Sequence, residues 1–309
     1  MARPRFLACY TAMVRRLIVN ADDLGMTTGI NRAIAEGCEK GIISSATLMA
    51  TSKAFDDAVA RVRELQIRKP HFSVGCHVVL LDGDPILPPE RVASLLELTS
   101  KAGTAQLRSS LTGFARSALT GRLKPEEIEA EANAQFERIQ AAGLTLTHFD
   151  CHKHAHMFPD ILGPSLRAAK ARGIRAIRNP FGRLFPLPVG RLLRSPKLWA
   201  RFAEMSGLRQ FAASFRREVE KQGLRTPDGS VGVLVTGELD QSYFTCIAEN
   251  LPEGTWEFVC HPGYYDADLD QARTRLRQSR ELELGILTSP ESKAALQRRG
   301  IELISYHEL

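Results

Sequence analysis

Long apolar runs are missing from this sequence, and no segment approaches the roughly 18 consecutive apolar residues that span a bilayer. The six cysteines, Cys9, Cys38, Cys76, Cys151, Cys246 and Cys260, include no C-x-x-C pair and follow no regular spacing. That excludes a disulfide framework and reads as reduced, mostly buried thiols in a cytoplasmic protein. A secretory leader is not evident either. The apolar stretch Phe6–Tyr10 is short, no small-residue cleavage site follows, and Arg15–Arg16 leads straight into a core-like segment. Residues 1–14 therefore read as a loose extension, with Met13 an alternative start. Internal repeats and low-complexity stretches are absent. No nucleic-acid-binding motif accompanies the basic charge, so a nucleic-acid partner is not expected.

What is present is an ordinary globular balance, 44% hydrophobic and 25% charged over 309 residues, enough to bury a core without structural staples. The net charge is +6, and much of the excess lies between Arg183 and Arg225, with Trp199, Phe202, Phe211 and Phe215 interspersed. A soluble basic protein accounts for this; attraction to an anionic polymer or lipid surface is the sharper reading. The segment from about 181 to 225 reads as a basic, mostly helical insertion.

Elsewhere strands and helices alternate. Arg16–Asn20 is a short β-branched strand stopping at Ala21-Asp22-Asp23-Leu24-Gly25. Thr27 or Thr28 caps a helix to Lys40, with Ile30, Ala33, Ile34 and Cys38 on one stripe and Gly41 as its left-handed end. Ser45–Met49 and Phe72–Leu80 are strands around a helix over Phe55–Leu65. Residues 82–123 read as a long loop with a short helix near Phe114–Leu119. Pro125 opens a helix that Gly143 closes. Leu146–Asp150 is a strand, Ile161–Arg172 a helix, Ala176–Arg178 a strand, Val231–Val235 a strand, Tyr243–Asn250 a helix and Trp256–Cys260 a strand. A helix over Leu269–Leu284 and a strand over Ile301–Ser305 complete the series. This alternation predicts an α/β fold, a distorted (β/α) TIM-like barrel forming a single domain over 15–309.

The polar residues gather where those strands end. Asp22 and Asp23 follow the first, His77 lies late on the third, Asp150, His152, His154 and His156 follow the 146–149 strand, and His261 follows the 256–260 strand. In a barrel these ends converge on one rim, where active sites form. An acid pair alone is most often a solvated cap, and a lone His77 most often a satisfied core residue; their coincidence reverses both readings. Consecutive acids point in different directions, so one suits a metal and the other a proton. In an extended His152–His156 segment alternate imidazoles share a face, although the spacing does not say which of them binds. Cys76 and Cys151 precede His77 and His152, but strand neighbours face oppositely, which disfavours thiolate ligation. A cation-bound water becomes a nucleophile near neutral pH, given a base and an acid; Asp22 and His261 are available for those tasks.

Asn20-Ala21-Asp22-Asp23-Leu24-Gly25, Val74-Gly75-Cys76-His77, His148-Phe149-Asp150-Cys151-His152-Lys153-His154-Ala155-His156 and Cys260-His261-Pro262-Gly263 resemble the motifs of the YdjC-like carbohydrate deacetylases. Ile86–Pro89, Arg280–Leu284 and Leu287–Pro290 extend the resemblance over nearly the whole chain. It implies a distorted (β/α) barrel holding one divalent metal ion, Mg2+ or Zn2+, on Asp23, His77 and His152. It further implies Asp22 as general base and His261 as general acid. The implied substrate is an N-acetylated amino sugar, chitooligosaccharide-like or lipid-linked, the latter with peripheral membrane contact. Leu24 stands where the family often carries Phe, and the 181–225 insertion is atypical of the short chitooligosaccharide enzymes, which leaves their substrate open. A homodimer is admitted by the sequence. The competing readings are hydrolysis of another bond such as a phosphoester, which wants more carboxylates than the rim supplies, and a sugar-binding barrel without catalysis.

Overall fold

The computed structural model describes residues 14–97, 106–182 and 195–309. Its core is a parallel, curled sheet in the order β7-β6-β3-β2-β1-β9-β8. These strands are β1 (Arg15–Leu24), β2 (Ser45–Leu48), β3 (Ser73–Val78), β6 (His148–Cys151), β7 (Ala176–Ile177), β8 (Gly229–Val231) and β9 (Gly254–Cys260). β10 (Ile301–Ile304) lies beside the first half of β1, from Arg15↔Ile301 to Ile18↔Ile304, while β2 takes the second half of the same edge. Between β7 and β8 the ring is drawn together at Arg225. Its carbonyl accepts from the Ile177 amide at 3.0 Å, and Ser230 Oγ donates to Asn179 O at 2.7 Å. A distorted TIM-like barrel results.

Helices cover the outside. α1 (Thr28–Lys40), α2 (Phe55–Arg68) and α4 (Pro125–Ala141) turn apolar stripes to the sheet, among them Ile30 and Ile34, Val59 and Val62, and Ile128 and Phe136. α3 (Leu111–Leu119) follows a short antiparallel ladder of β4 (Leu96–Glu97) with β5 (Gln106–Leu107), and α5 (Pro159–Ala171) follows β6. α6 (Pro196–Leu208) and α7 (Ala212–Gln222) occupy the basic segment, of which residues 183–194 lie outside the described part, as do residues 1–13. α8 (Gln241–Glu249), α9 (Ala267–Gln271), α10 (Ser279–Thr288) and α11 (Pro290–Arg298) complete the shell. Among the described residues no helix is long and apolar enough to cross a membrane.

Period-two alternation sorts the strand side chains into two populations. Leu17, Val19 and Ala21, Val74, Cys76 and Val78, Phe149 and Cys151, and Phe258 and Cys260 belong to the large apolar core shared with the helices. Their neighbours point into the barrel. At the bottom Ile18, Ala176, Ile304 and Tyr306 form a small apolar plug. Above it the interior is polar, with buried Asn20, Ser45, Ser73, His148, Glu257 and Arg178. A TIM barrel usually fills that space with branched apolar layers; here the volume is given to charges and hydrogen bonds. Cys76 and Cys151 thus face away from the site, which removes them as ligands, and burial pushes both thiols up.

Several local expectations are corrected. β1 does not stop before the acid pair but carries it. Its register against β2 advances three residues from Ala21 to Leu24 while β2 advances two from Ala46 to Leu48, a bulge in which Asp23 takes φ 64°. Gly41 ends α1 at φ −113°, so glycine is needed there for space: a Cβ would lie 2.4 Å from Leu287 O. The run after Val231 leaves the sheet at Gly232 (φ 90°) and becomes a 3-10 turn, Val233–Val235. The last long helix is two, because α9 ends at Gln271 and α10 begins at Ser279.

Gly75 tests how tightly the interior is packed. A Cβ there would sit 2.6 Å from His148 Nε2, so Gly75→Ala should destabilise the protein by about 1–3 kcal/mol through overpacking. Urea unfolding checks it, and a midpoint equal to the parent's would mean the interior yields.

Candidate active site

The bulge in β1 sets the geometry. In a regular strand Asp22 and Asp23 would face opposite sides, but the extra residue and the left-handed turn at Asp23 bring both carboxylates to the top of the barrel. Asp is among the few residues that adopt this backbone at modest cost. The two acids then meet different partners.

Asp23 is buried, and Arg280 Nη2 donates to its Oδ2 at 2.6 Å. Its Oδ1 is buried without a hydrogen-bond partner among the described residues. That orphaned oxygen lies 3.6 Å from His77 Nε2 and 3.7 Å from His152 Nδ1, and the two nitrogens are 3.2 Å apart. Burial opposes the charge on Asp23, but Arg280 and the surrounding histidines outweigh it and hold the carboxyl far below its usual range. His77 presents Nε2 to this gap because its Nδ1 is taken by Asp150 Oδ1 at 2.7 Å. Burial works against a charged His77 ring; the Asp150 carboxylate overcomes it and pushes the pKa up to about 9. His152 is moved the other way, to about 4, mainly by burial.

These observations test the fit of a metal ion. Bonds of about 2.0–2.2 Å at tetrahedral or octahedral angles separate neighbouring ligand atoms by roughly 3.0–3.5 Å. The three observed separations fall at or just beyond that span, on one carboxylate oxygen and two imidazole nitrogens. An orphaned buried carboxylate oxygen is costly unless a cation completes it. The residues present therefore fit a divalent ion.

Asp22 is placed differently. Arg178 grips it with both ends of its fork, Nη1 to Oδ2 at 2.8 Å and Nη2 to Oδ1 at 2.5 Å. Asn20 Nδ2 donates to Oδ1 at 3.0 Å and Thr47 Oγ1 at 3.3 Å. Burial raises its pKa, yet the Arg178 guanidinium prevails and holds it well below the ordinary carboxylate value. Asp22, His77 and Asp150 also have ligand-type atoms within 4.8 Å of one another. There, however, a guanidinium already supplies the positive charge, since Arg178 pairs with Asp150 and with Glu257 (2.8 Å) as well as Asp22. His261 Nε2 sits 3.7 Å from Asp22 Oδ2, and its buried Nδ1 has no hydrogen-bond partner among the described residues.

The histidine cluster is not extended. His152–Met157 is a 3-10 turn interrupted by left-handed Lys153 (φ 53°) and His154 (φ 56°), so alternate rings do not share a face. Only His152 reaches the gap. His156 is buried and accepts the Cys151 amide at 3.1 Å, and the His154 ring lies 6.2 Å from that of His156. Lys153 pairs with Asp82 at 2.5 Å, and buried Glu131 and Gln135 of α4 fix the chain around Asp82 by accepting from Ile86, Leu87 and Val79 amides.

The five residues singled out from sequence, Asp22, Asp23, His77, His152 and His261, thus converge on one rim. Arg178, Arg280, Asp150 and Glu257 were not assigned roles. Arg178 carries no local signal: it follows a two-residue apolar strand, where an arginine ordinarily reads as a surface group.

The family model for YdjC-like protein matches residues 16–298. A carbohydrate deacetylase of Brevibacillus brevis is 31% identical over 297 residues, covering 95% of this chain and 99% of that protein. One from Geobacillus stearothermophilus is 31% identical, with 96% and 98% covered. The crystal structure of a putative cellobiose-phosphate cleavage protein from Enterococcus faecalis V583 superposes with a TM-score of 0.73 at 26% identity, covering 96% of this chain and 98% of that one. Matched along almost its full length in sequence and fold, the chain belongs to the YdjC-like protein family.

Proposed function

We propose that the protein is a metal-dependent carbohydrate deacetylase that hydrolyses the acetamide of an N-acetylated amino sugar, either a chitooligosaccharide-like chain or a lipid-linked glycoconjugate. The observation that carries this reading is the unpartnered Asp23 Oδ1 facing two imidazole nitrogens, beside a second acid that Arg178 keeps ionised. The carbohydrate deacetylases among its relatives support the substrate class. Asp23, His77 and His152 would hold one divalent ion, Mg2+ or Zn2+. When bound, the ion supplies Lewis acidity towards the amide carbonyl and towards a water molecule.

The remaining work falls to the chain. Asp22 accepts a proton from the attacking water, and Arg178, Asn20 and Thr47 fix the direction in which its oxygens present lone pairs. The water oxygen bonds to the carbonyl carbon, the C–N bond breaks, and acetate and a free amine leave. His261 delivers a proton to the departing nitrogen from Nε2, which sits beside Asp22 on the same rim. Asp150 orients His77 by accepting its Nδ1–H. Arg280 occupies the other oxygen of Asp23, leaving one for the cation.

The test is acetate release from N-acetylglucosamine oligomers with and without chelator. Release that chelator abolishes and Mg2+ or Zn2+ restores is expected. Asp22→Asn should retain the metal and lose about 10²–10⁴ in turnover, the usual contribution of a general base. Parental turnover in that variant would move the base elsewhere.

A further inference from the structure

The plug at the bottom of the barrel is joined to Asp22 by two separate chains of contacts, and both begin at Tyr306. We propose that Tyr306 is a positioning residue for the Asp22 carboxylate, acting through Glu257 and Arg178 on one side and through His148 and Asn20 on the other. This rests on the reading of Asp22 as the base.

The first chain is made of hydrogen bonds. Tyr306 Oη donates to Glu257 Oε2 at 2.8 Å. Glu257 Oε1 accepts from Arg178 Nε at 2.9 Å, and Arg178 grips Asp22 through both terminal nitrogens. A guanidinium offers five N–H groups in one rigid plane, so a partner that fixes its Nε edge also fixes the fork at the other end. Every member is fully buried or nearly so. Glu257 is the weak point. Burial raises its pKa despite Arg178, and the Tyr306 hydroxyl supplies a neutral donor that favours its ionised form.

The second chain uses the ring. The Tyr306 ring stacks on His148 with centroids 3.6 Å apart and planes 8° from parallel. His148 Nε2 lies 3.2 Å from Asn20 Oδ1. The Asn20 amide nitrogen must face the acceptor-only carboxylate of Asp22, so its Oδ1 takes the His148 Nε2–H. A displaced ring at the bottom therefore turns the amide that sets Asp22 Oδ1. Tyr306 is itself seated firmly. Its amide donates to Ser73 Oγ at 3.1 Å, and the turn it opens is closed by a Ser305–Glu308 capping box. A plug needs only apolar bulk. A hydroxyl aimed at a buried carboxylate and a ring stacked on a buried imidazole are more than closure requires.

The variants Tyr306→Phe, Tyr306→Leu, Glu257→Gln and the Phe/Gln double separate positioning from packing. Phe keeps the stack and loses the hydroxyl, so kcat for acetate release from N-acetylglucosamine oligomers should fall about tenfold, as when an outer partner is removed, with KM within twofold. Leu loses both chains and should fall further. If the hydroxyl acts through Glu257, the double variant is no slower than the slower single. Independently of activity, slow exchange of the Arg178 guanidinium protons, followed by 15N NMR, should be lost in Tyr306→Phe. Parental kcat with parental Arg178 exchange in Tyr306→Phe would overturn the proposal and leave Tyr306 a plug, whatever the melting temperature does. Multiplicative losses in the double variant would overturn the route through Glu257. Asp22→Asn, measured alongside, separates the two levels: parental turnover there sinks the reading of Asp22, while a dead Asp22→Asn beside a parental Tyr306→Phe sinks the relay alone.

Discussion

Alanine in place of His77 or His152 is expected to abolish retention of a divalent ion and to cost about a thousandfold or more in turnover, since a bound cation is worth several kcal/mol at the transition state. Each substitution removes one of the two nitrogens that face Asp23 Oδ1. The two variants should differ in stability. The His77 side chain is 3% exposed and shares Asp150 with Arg178, so its loss also leaves a buried carboxylate short of a donor. The His152 side chain is 13% exposed at the rim and should be lost with little change in unfolding. Metal content of the purified variants by atomic emission, set beside their urea midpoints, decides the matter. Full metal occupancy in both would refute the ligand assignment.

Arg178→Met should be the most destabilising single substitution in the barrel interior. One guanidinium pairs with Asp22, Asp150 and Glu257, all buried. Removing one partner of a buried ion cluster costs roughly 3–5 kcal/mol, because the carboxylates left behind stay out of water with their shared guanidinium gone. Arg178→Lys keeps a charge without the fork, so it should fold and reveal the electrostatic role. In the parent the folded pKa of Asp22 is depressed below its unfolded value. Its contribution to stability is therefore complete above that unfolded value, near 4, and is lost as pH falls through the lower folded one. Weakening the guanidinium leaves burial to raise the Asp22 pKa, so the acid limb of kcat should move towards neutral pH. An unshifted limb, or an Arg178→Met variant within 1 kcal/mol of the parent, would show that Arg178 does not set the state of Asp22.

The strands and most helices are legible in the sequence because their signals are local. The β-branched run Arg16–Asn20, the stripe Ile30-Ala33-Ile34-Cys38 and the Pro125 start depend on near neighbours. The convergence of Asp22, Asp23, His77, His152 and His261 is also legible, since parallel strands bring their ends to one rim. The bulge at Asp23 is not, because nothing in Asp22-Asp23-Leu24 distinguishes a regular strand from one with an extra residue; pairing with β2 decides it. Alternation of histidines suggests an extended His152–His156 segment, but Lys153 and His154 adopt left-handed backbones, Lys153 reaches Asp82 and His156 caps Cys151 N. Arg178, Glu257 and Arg280 are not legible, since a charged residue in a strand or a helix is ordinarily a surface group. Only the three-dimensional meeting of carboxylates makes a buried arginine necessary.

β1 and β10 lie side by side although every other strand of the sheet falls between them in sequence. The other strands of the sheet leave the ribosome before β10, so until β10 appears the first strand keeps amides and carbonyls open along half of one edge. Such an edge is a template for pairing with a neighbouring nascent chain. Chains truncated ahead of Ile301 are thus left with their central strand unsealed, and stalled synthesis of this protein should be a source of aggregates rather than of partly active fragments.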